Sequence, residues 1–121
     1  MRPAQTRRVD DALSALADPT RRRMIDLLRE RPLRAGELAS AFDVSAPAIS
    51  RHLRVLRERG LIEEAPAPRD ARMRVYRLRQ KPFQDLQAWL DEVEGFWTEQ
   101  LDSFRALADA RATRPARGSR R

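Results

Sequence analysis

The chain has 121 residues, the size of one typical domain; 41% of them are apolar and 36% are charged, with a net charge of +7. Its longest run without a charged residue is the seven residues from Val44 to Ser50, which excludes a membrane span of about 20 apolar residues. The chain has no Cys and a single His, which excludes disulfides, thiolate metal sites and most metal-dependent or triad enzymes.

The N-terminal segment contains Arg2, Arg7 and Arg8 but no apolar run behind them, so it does not read as a secretory signal. Together with the absence of Cys, this predicts a cytoplasmic protein.

The charge is distributed unevenly along the chain. Residues 1–80 hold 18 Arg and 11 acidic residues, residues 81–110 carry a net charge of −5, and the last eleven residues hold five Arg and no acid. A basic body with a basic tail is typical of a polyanion binder. An Arg-rich composition with a solvated surface explains the same charge, so charge alone does not decide between these interpretations.

The first half of the chain predicts a series of helices. We expect residues 1–8 to be flexible and Val9, Leu13 and Leu16 to lie on a short amphipathic helix. Asp18-Pro19-Thr20 starts a second helix, with residues 21–23 on its solvent side, which ends at Pro32.

The spacing of the next two helices is that of a helix-turn-helix. A helix over residues 34–42 is followed by Asp43-Val44-Ser45, a turn in which Ser45 can cap the next helix. That next helix, residues 46–59, places Ile49, Leu53 and Leu56 on one narrow face and Pro47, Arg51 and Arg54 on the opposite face, and it ends at Gly60.

The second half of the chain predicts a β-hairpin followed by a long helix. Residues 61–64 and 73–78 read as strands, and the turn over residues 65–71 completes a two-stranded wing. A helix follows over residues 82–111. The predicted organisation is therefore a helix-turn-helix with a two-stranded wing over residues 9–80, a long C-terminal helix over residues 81–111 and a disordered basic tail over residues 112–121.

The segment from Leu16 to Leu78 resembles the ArsR family of bacterial winged-helix repressors, and it does so in five stretches that occur in order and at family spacing. These stretches are residues 16–21 (LADPTR), 37–39 (ELA), 45–53 (SAPAISRHL), 56–61 (LRERGL) and 74–78 (RVYRL). The resemblance implies a mostly α-helical fold with a small β-hairpin wing, a winged helix-turn-helix that forms a homodimer through its terminal helices. It also implies that the helix starting at Ser45 enters the DNA major groove and that the protein represses its own operon until a signal releases it.

The chain departs from the metal-sensing members of that family. Those members carry two cysteines just before the acidic residue of the first helix of the motif, whereas here Arg34 and Gly36 precede Glu37. A second family metal site uses His and acidic residues of the last helix, and residues 82–111 contain no His. We therefore expect no metal ligands and no cofactor. The wing also has Ala71 where family members usually have Gly, which predicts a different hairpin geometry.

The candidate DNA-binding residues lie on the second helix of the motif and on the wing. Arg side chains can contact guanine edges or phosphates, and wing arginines set affinity more than sequence preference. Other interpretations stay open: Ser45 as a cap only, Arg54 paired with Glu58, His52 as a packing residue, and the wing arginines as plain surface charge. The candidates are Ser45, Ala46, Pro47, Ser50, Arg51, His52, Arg54, Arg69, Arg72 and Arg74.

The last predicted helix carries apolar residues at intervals of three and four, close to a heptad seam. A body of about 80 residues cannot bury both this seam and the off-seam Trp89 and Phe96, so the pattern predicts a homodimer. The aromatic cluster also leaves room for a small apolar effector. The candidate interface residues are Leu13, Leu16, Leu86, Leu90, Val93, Trp97, Leu101 and Phe104.

The sequence is compatible with three functions. The first is a homodimeric, sequence-specific repressor that binds double-stranded DNA at a palindromic operator. The second is a non-specific nucleic-acid binder that uses the Arg tail, and the third is a protein-interaction module that uses the acidic aromatic helix. An enzyme is the least expected class, because one His, no Cys and scattered acids supply no catalytic residues that act together.

Overall fold

The computed structural model describes residues 3–113, which form helices and one antiparallel hairpin of two strands, as predicted. The chain forms two compact units, and the boundary between Gln87 and Ala88 lies inside the last helix. The elements are α1 Pro3–Leu16, α2 Pro19–Glu30, α3 Ala35–Ser40, α4 Ala46–Glu58, β1 Ile62–Pro66, β2 Arg74–Leu78 and α5 Gln80–Thr113.

One hydrophobic core in the first unit holds α1 to α4, the hairpin and the start of α5 together. Its fully buried members come from separate elements, such as Met24 of α2, Leu38 of α3 and Leu56 of α4. Phe83 and Leu86, near the start of α5, pack against the same core. Burying a side chain of this size contributes about 1.5–3 kcal/mol to stability, so these contacts fix the orientations of the helices.

The wing pairs Ile62 with Leu78 and continues without interruption to the pair Pro66 and Arg74. On its other edge, β2 forms a bridge to Leu33, where two reciprocal backbone hydrogen bonds link Leu33 and Tyr76 at 3.1 and 2.7 Å. The segment between α2 and α3 is therefore attached to the wing by its backbone.

The N-terminal helix corrects one prediction. Residues 3–8, expected to be flexible, are helical, since α1 begins at Pro3. The local sequence there has no apolar period, but Arg8 forms an ion pair with Asp85 of α5. Asp85 is buried and also pairs with Lys81 at 3.3 Å. The hydrogen bond donated by Arg8 keeps the pKa of this carboxyl below its usual value despite burial, which acts in the opposite direction.

Other predicted boundaries shift by a few residues. α3 ends at Ser40 rather than at Phe42, because the N–H of Ala41 bonds the carbonyl of Leu38 and so tightens the last turn. The two helices of the motif are thus joined by the five residues 41–45 instead of three. α5 extends to Thr113, so the first two residues of the predicted tail are helical, and residues 114–121 lie outside the described residues.

Gly60 ends α4 in a conformation that favours glycine. Its φ is +82°, its N–H bonds the carbonyl of Arg57 at 3.0 Å, and the N–H of Leu61 bonds the carbonyl of Leu56 at 2.9 Å. This is a Schellman motif, and its apolar contact joins two buried leucines. The left-handed residue turns the chain from α4 into β1.

Gly60→Ala is expected to lower the free energy of unfolding by about 1 kcal/mol, because a Cβ is strained at this φ. The change is measured by urea unfolding of the full chain. Gly36→Ala is the control, since a Cβ there meets nothing within 4 Å and lies inside a helix. Equal unfolding midpoints for the two variants would contradict the assignment of Gly60 as the left-handed cap.

Candidate nucleic-acid interface

The orientation of α4 is set by its apolar face. Ile49, Leu53 and Leu56 are buried in the core, as the spacing predicts, and the opposite face is exposed. A helix that presents one face to solvent while the other is locked in the core is the arrangement that a major-groove reader requires.

The start of α4 is fixed by Ser45. Its hydroxyl accepts a hydrogen bond from the N–H of Ala48 at 3.2 Å, which satisfies one of the free amides of the first turn. Ala46, Pro47 and Ser50 follow on the exposed surface of the same end of the helix. Ser45 therefore has a structural role as the cap, and its role as a DNA contact stays a prediction.

Arg51 and Arg54 lie on the exposed face of α4. Within residues 3–113, neither guanidinium has an ion pair or hydrogen bond, and the alternative pairing of Arg54 with Glu58 is not formed. Two fixed positive charges on a helix face without a neutralising acid are available to an external anion.

His52 is half-buried between α4 and the start of α2. Its Nδ1 lies 3.4 Å from Nη1 of Arg21 and 3.9 Å from a carboxylate oxygen of Asp18. Asp18 caps α2 by accepting from the N–H of Arg21 at 3.0 Å, and this bond is the main cause of the lowered pKa of its carboxyl. These contacts fit the packing interpretation of His52.

The position of Arg21 differs from the one that the sequence predicts. Residues 21–23 were expected on the solvent side of α2, but Arg21 is part-buried and its Nε donates to the carbonyl of Ala15 at 2.7 Å. One side chain thus links α1, α2 and α4. No local pattern indicates this, because its partners lie six and 31 residues away in the sequence.

The wing arginines differ in their surroundings. Arg72 donates from Nε to Asp70 at 3.3 Å, and Arg74 lies 3.9 Å from Glu64. Arg69 is exposed and has no ion pair or hydrogen bond within the described part of the chain. Of the three predicted wing contacts, Arg69 is the one whose charge is not neutralised locally.

The predicted interface residues fall into two groups. Leu16 and Leu86 are half-buried against the core of their own chain, whereas Leu13 is 42% exposed. In the unit that begins at Ala88, Trp97 is 59% and Phe104 is 68% exposed, values far above those of core aromatics. The other large apolar residues exposed in this unit are Leu90, Val93, Phe96, Leu101 and Leu107, of which Leu107 was not predicted.

Two further observations concern sites of other kinds. Over residues 3–113, no cluster of three or more His, Cys, Asp or Glu side chains is arranged to hold a metal ion. None of the helices described in that range has the length and apolar character needed to cross a membrane.

Comparison with known proteins identifies the family. Residues 18–64 match the family model described as bacterial regulatory protein, arsR family. The chain is 41% identical over 101 residues to the HTH-type transcriptional regulator Rv2034 of Mycobacterium tuberculosis, an alignment that spans 84% of this chain and 89% of that protein. The chain belongs to the ArsR family.

Further matches agree with this assignment. The transcriptional repressor SdpR of Bacillus subtilis is 33% identical over 82 residues, covering 68% of this chain and 88% of the relative. An ArsR-like transcriptional regulator from Rhodococcus superposes with a TM-score of 0.68 at 26% identity, covering 84% of this chain and 92% of the other. The winged helix-turn-helix fold of a DNA-binding transcriptional regulator is thereby confirmed.

Ser45→Ala is expected to lower the free energy of unfolding by about 1 kcal/mol, because this ArsR-family chain loses the cap of α4. Ser50→Ala is the matched control: Ser50 is exposed and the change is expected to stay within about 0.5 kcal/mol. Urea unfolding of both variants measures the difference. If Ser45→Ala were as stable as Ser50→Ala, the capping role would be wrong.

Proposed function

We propose that this ArsR-family protein is a homodimeric repressor that binds a palindromic operator, including one in its own operon. The observation that carries the proposal is the exposed face of α4, where Arg51 and Arg54 have no partner among the described residues while the opposite face is buried. Each Arg has the length and the planar fork to donate to a guanine edge.

The wing supplies a second cationic contact in this proposal. Arg69 is exposed on the wing, and in this proposal its contact with phosphate adds affinity without sequence preference. Arg72 and Arg74 belong to the same wing, but Asp70 and Glu64 partly neutralise their charges, so they attract a phosphate less strongly.

The homodimer is supported by the exposed apolar residues from Leu90 to Leu107. Soluble monomers rarely expose so continuous an apolar surface to water. In the proposed dimer, the same helix of a second copy buries this surface. A twofold dimer presents two α4 helices, which on B-form DNA must enter grooves about 34 Å apart. The operator is therefore expected to be palindromic.

The specificity of α4 is tested by selecting bound sequences from random duplexes and then measuring affinity by fluorescence anisotropy at about 150 mM salt. Arg51→Ala and Arg54→Ala are each expected to weaken binding to the selected duplex by about 10-fold to 100-fold, because one base or phosphate contact is lost. Arg29→Ala is the control, since Arg29 has the same charge but lies on α2 beside Asp26. Its affinity is expected to stay within about twofold of that of the unaltered chain.

Two results would contradict this proposal. Recovery of no twofold consensus, with all sequences losing affinity alike as salt rises, would indicate a non-specific nucleic-acid binder. Full operator binding by the Arg51→Ala, Arg54→Ala double variant would place the DNA contact elsewhere.

The dimer is tested by analytical ultracentrifugation of the variant with Leu90→Ala and Trp97→Ala. Both side chains are exposed, so the first unit is expected to keep its fold while self-association is lost. Thr98→Ala and Gln100→Ala together form the control, because they alter exposed polar residues of the same helix. A dimer that persists after loss of Leu90 and Trp97 would move the interface to another surface.

A further inference from the structure

A cleft lies between the segment that leads into α3 and the outer part of the wing. It has a volume of about 560 Å³ and is bounded by residues of the range 31–37 on one side and of the range 67–75 on the other. The backbone bridge between Leu33 and Tyr76 joins the two sides, so the cleft exists without a ligand. We call it the wing cleft. It is a wide depression that is open to solvent, so a ligand there keeps part of its surface in water.

The apolar part of the wing cleft is aliphatic. Val75 is buried and Met73 is half-buried, as is Ala67, so these residues form the floor, while Pro32 and Pro68 are exposed at the rim. A thioether side chain adapts to different ligand shapes, and the lining contains no aromatic ring to select a flat one. This surface suits an alkyl chain. Its apolar residues are Pro32, Ala67, Pro68, Met73 and Val75.

The polar part of the wing cleft has an excess of positive charge. Arg31, Arg34 and Arg69 line it, and Glu37 is the only acid among the lining residues. Glu37 accepts from the N–H of Arg34 at 2.9 Å, which lowers the pKa of its carboxyl and keeps it ionised. Its two oxygens are shared between Nε of Arg34 at 3.3 Å and Nη1 of Arg31 at 3.4 Å. Two guanidiniums thus share one carboxylate, and Arg69 adds a third positive charge to the lining that has no ion pair within the described residues.

We propose that the wing cleft binds a medium-chain aliphatic carboxylate. The alkyl chain lies on the floor of Met73 and Val75, and the carboxylate lies among the guanidiniums of Arg31, Arg34 and Arg69. A neutral compound of the same length lacks the ionic contact, and a small inorganic anion lacks the apolar contact. Only a ligand that carries both an alkyl chain and a carboxylate makes the apolar and the ionic contact together, and this defines its chemical class.

The cleft shares Arg69 with the DNA-contacting surface of the wing. A carboxylate that occupies this guanidinium competes with a DNA phosphate, so ligand and DNA weaken each other's binding by the same factor. This regulatory part rests on the proposed function, whereas ligand binding itself does not.

The site is tested by two-dimensional amide NMR of the full chain, titrated with octanoate in the absence of DNA. Saturable shifts are expected at Ala67, Arg69, Met73 and Val75, with much smaller shifts for octan-1-ol and for inorganic phosphate at equal concentration. Equal shifts with phosphate would show that the cleft binds any small anion and would contradict the proposed alkyl contact. Saturable shifts confined to residues 88–113 would assign the ligand to the apolar residues of α5, and absence of saturation would remove the site.

A matched pair of double variants tests the charge. Arg31→Gln with Arg34→Gln leaves Glu37 without its side-chain partners and is expected to weaken octanoate binding by about tenfold. Arg77→Gln with Arg79→Gln is the control, because these two arginines share Glu63 in the same way at 2.8 and 3.7 Å but do not line the wing cleft. Equal weakening by both pairs would contradict the proposed site.

A final measurement separates ligand binding from regulation. At the octanoate concentration that half-saturates the unaltered chain, octanoate is expected to weaken duplex binding by the unaltered chain and to weaken it much less for the Arg31→Gln, Arg34→Gln variant. If octanoate binds the cleft but the chain binds no duplex, the proposed function fails and the site stands. If duplex binding is unchanged at saturating octanoate, the site stands but the regulatory part is wrong.

Discussion

The burial of one face of α4 is the constraint on which the proposed DNA-binding surface depends. Ile49 and Leu56 are almost completely removed from solvent, and a rotation of the helix that exposed them would carry the guanidiniums of Arg51 or Arg54 toward the core. Burying an unpaired charge costs far more than exposing an aliphatic side chain. The core therefore dictates which side of α4 faces outward. Capping hydrogen bonds at both ends of α4 fix the residues at which the helix begins and ends.

Ion pairs elsewhere on the first unit neutralise several of its other arginines. Arg57 is on the same helix, yet it pairs with Glu64 at 2.8 Å, and Arg77 pairs with Glu63 at the same distance. Exposed pairs of this kind add little stability. Their effect is local neutralisation, because an arginine beside a carboxylate contributes little to the potential that an approaching polyanion meets.

The parts of the structure that follow from short-range signals could be predicted from the sequence, and the parts that depend on distant contacts could not. Asp18 and Ser45 cap the two helices that their neighbouring residues predict, because a cap acts within three positions. The helical start of α1 and the part-buried position of Arg21 were missed, since they rest on partners far along the chain. The wing cleft also could not be predicted, because it depends on contacts between the range 31–37 and the distant range 67–75.

α5 shows why a regular pattern cannot by itself assign a surface. Phe83, Leu86 and Leu90 continue one seam at intervals of three and four, but the first two pack against the core and Leu90 is 45% exposed. The period is the same on both sides of Gln87, so the sequence gives no sign of where packing within the chain ends. The core has a finite extent, and a helix longer than that extent carries the same apolar spacing into solvent. In the proposed dimer, a second copy of α5 covers this exposed continuation.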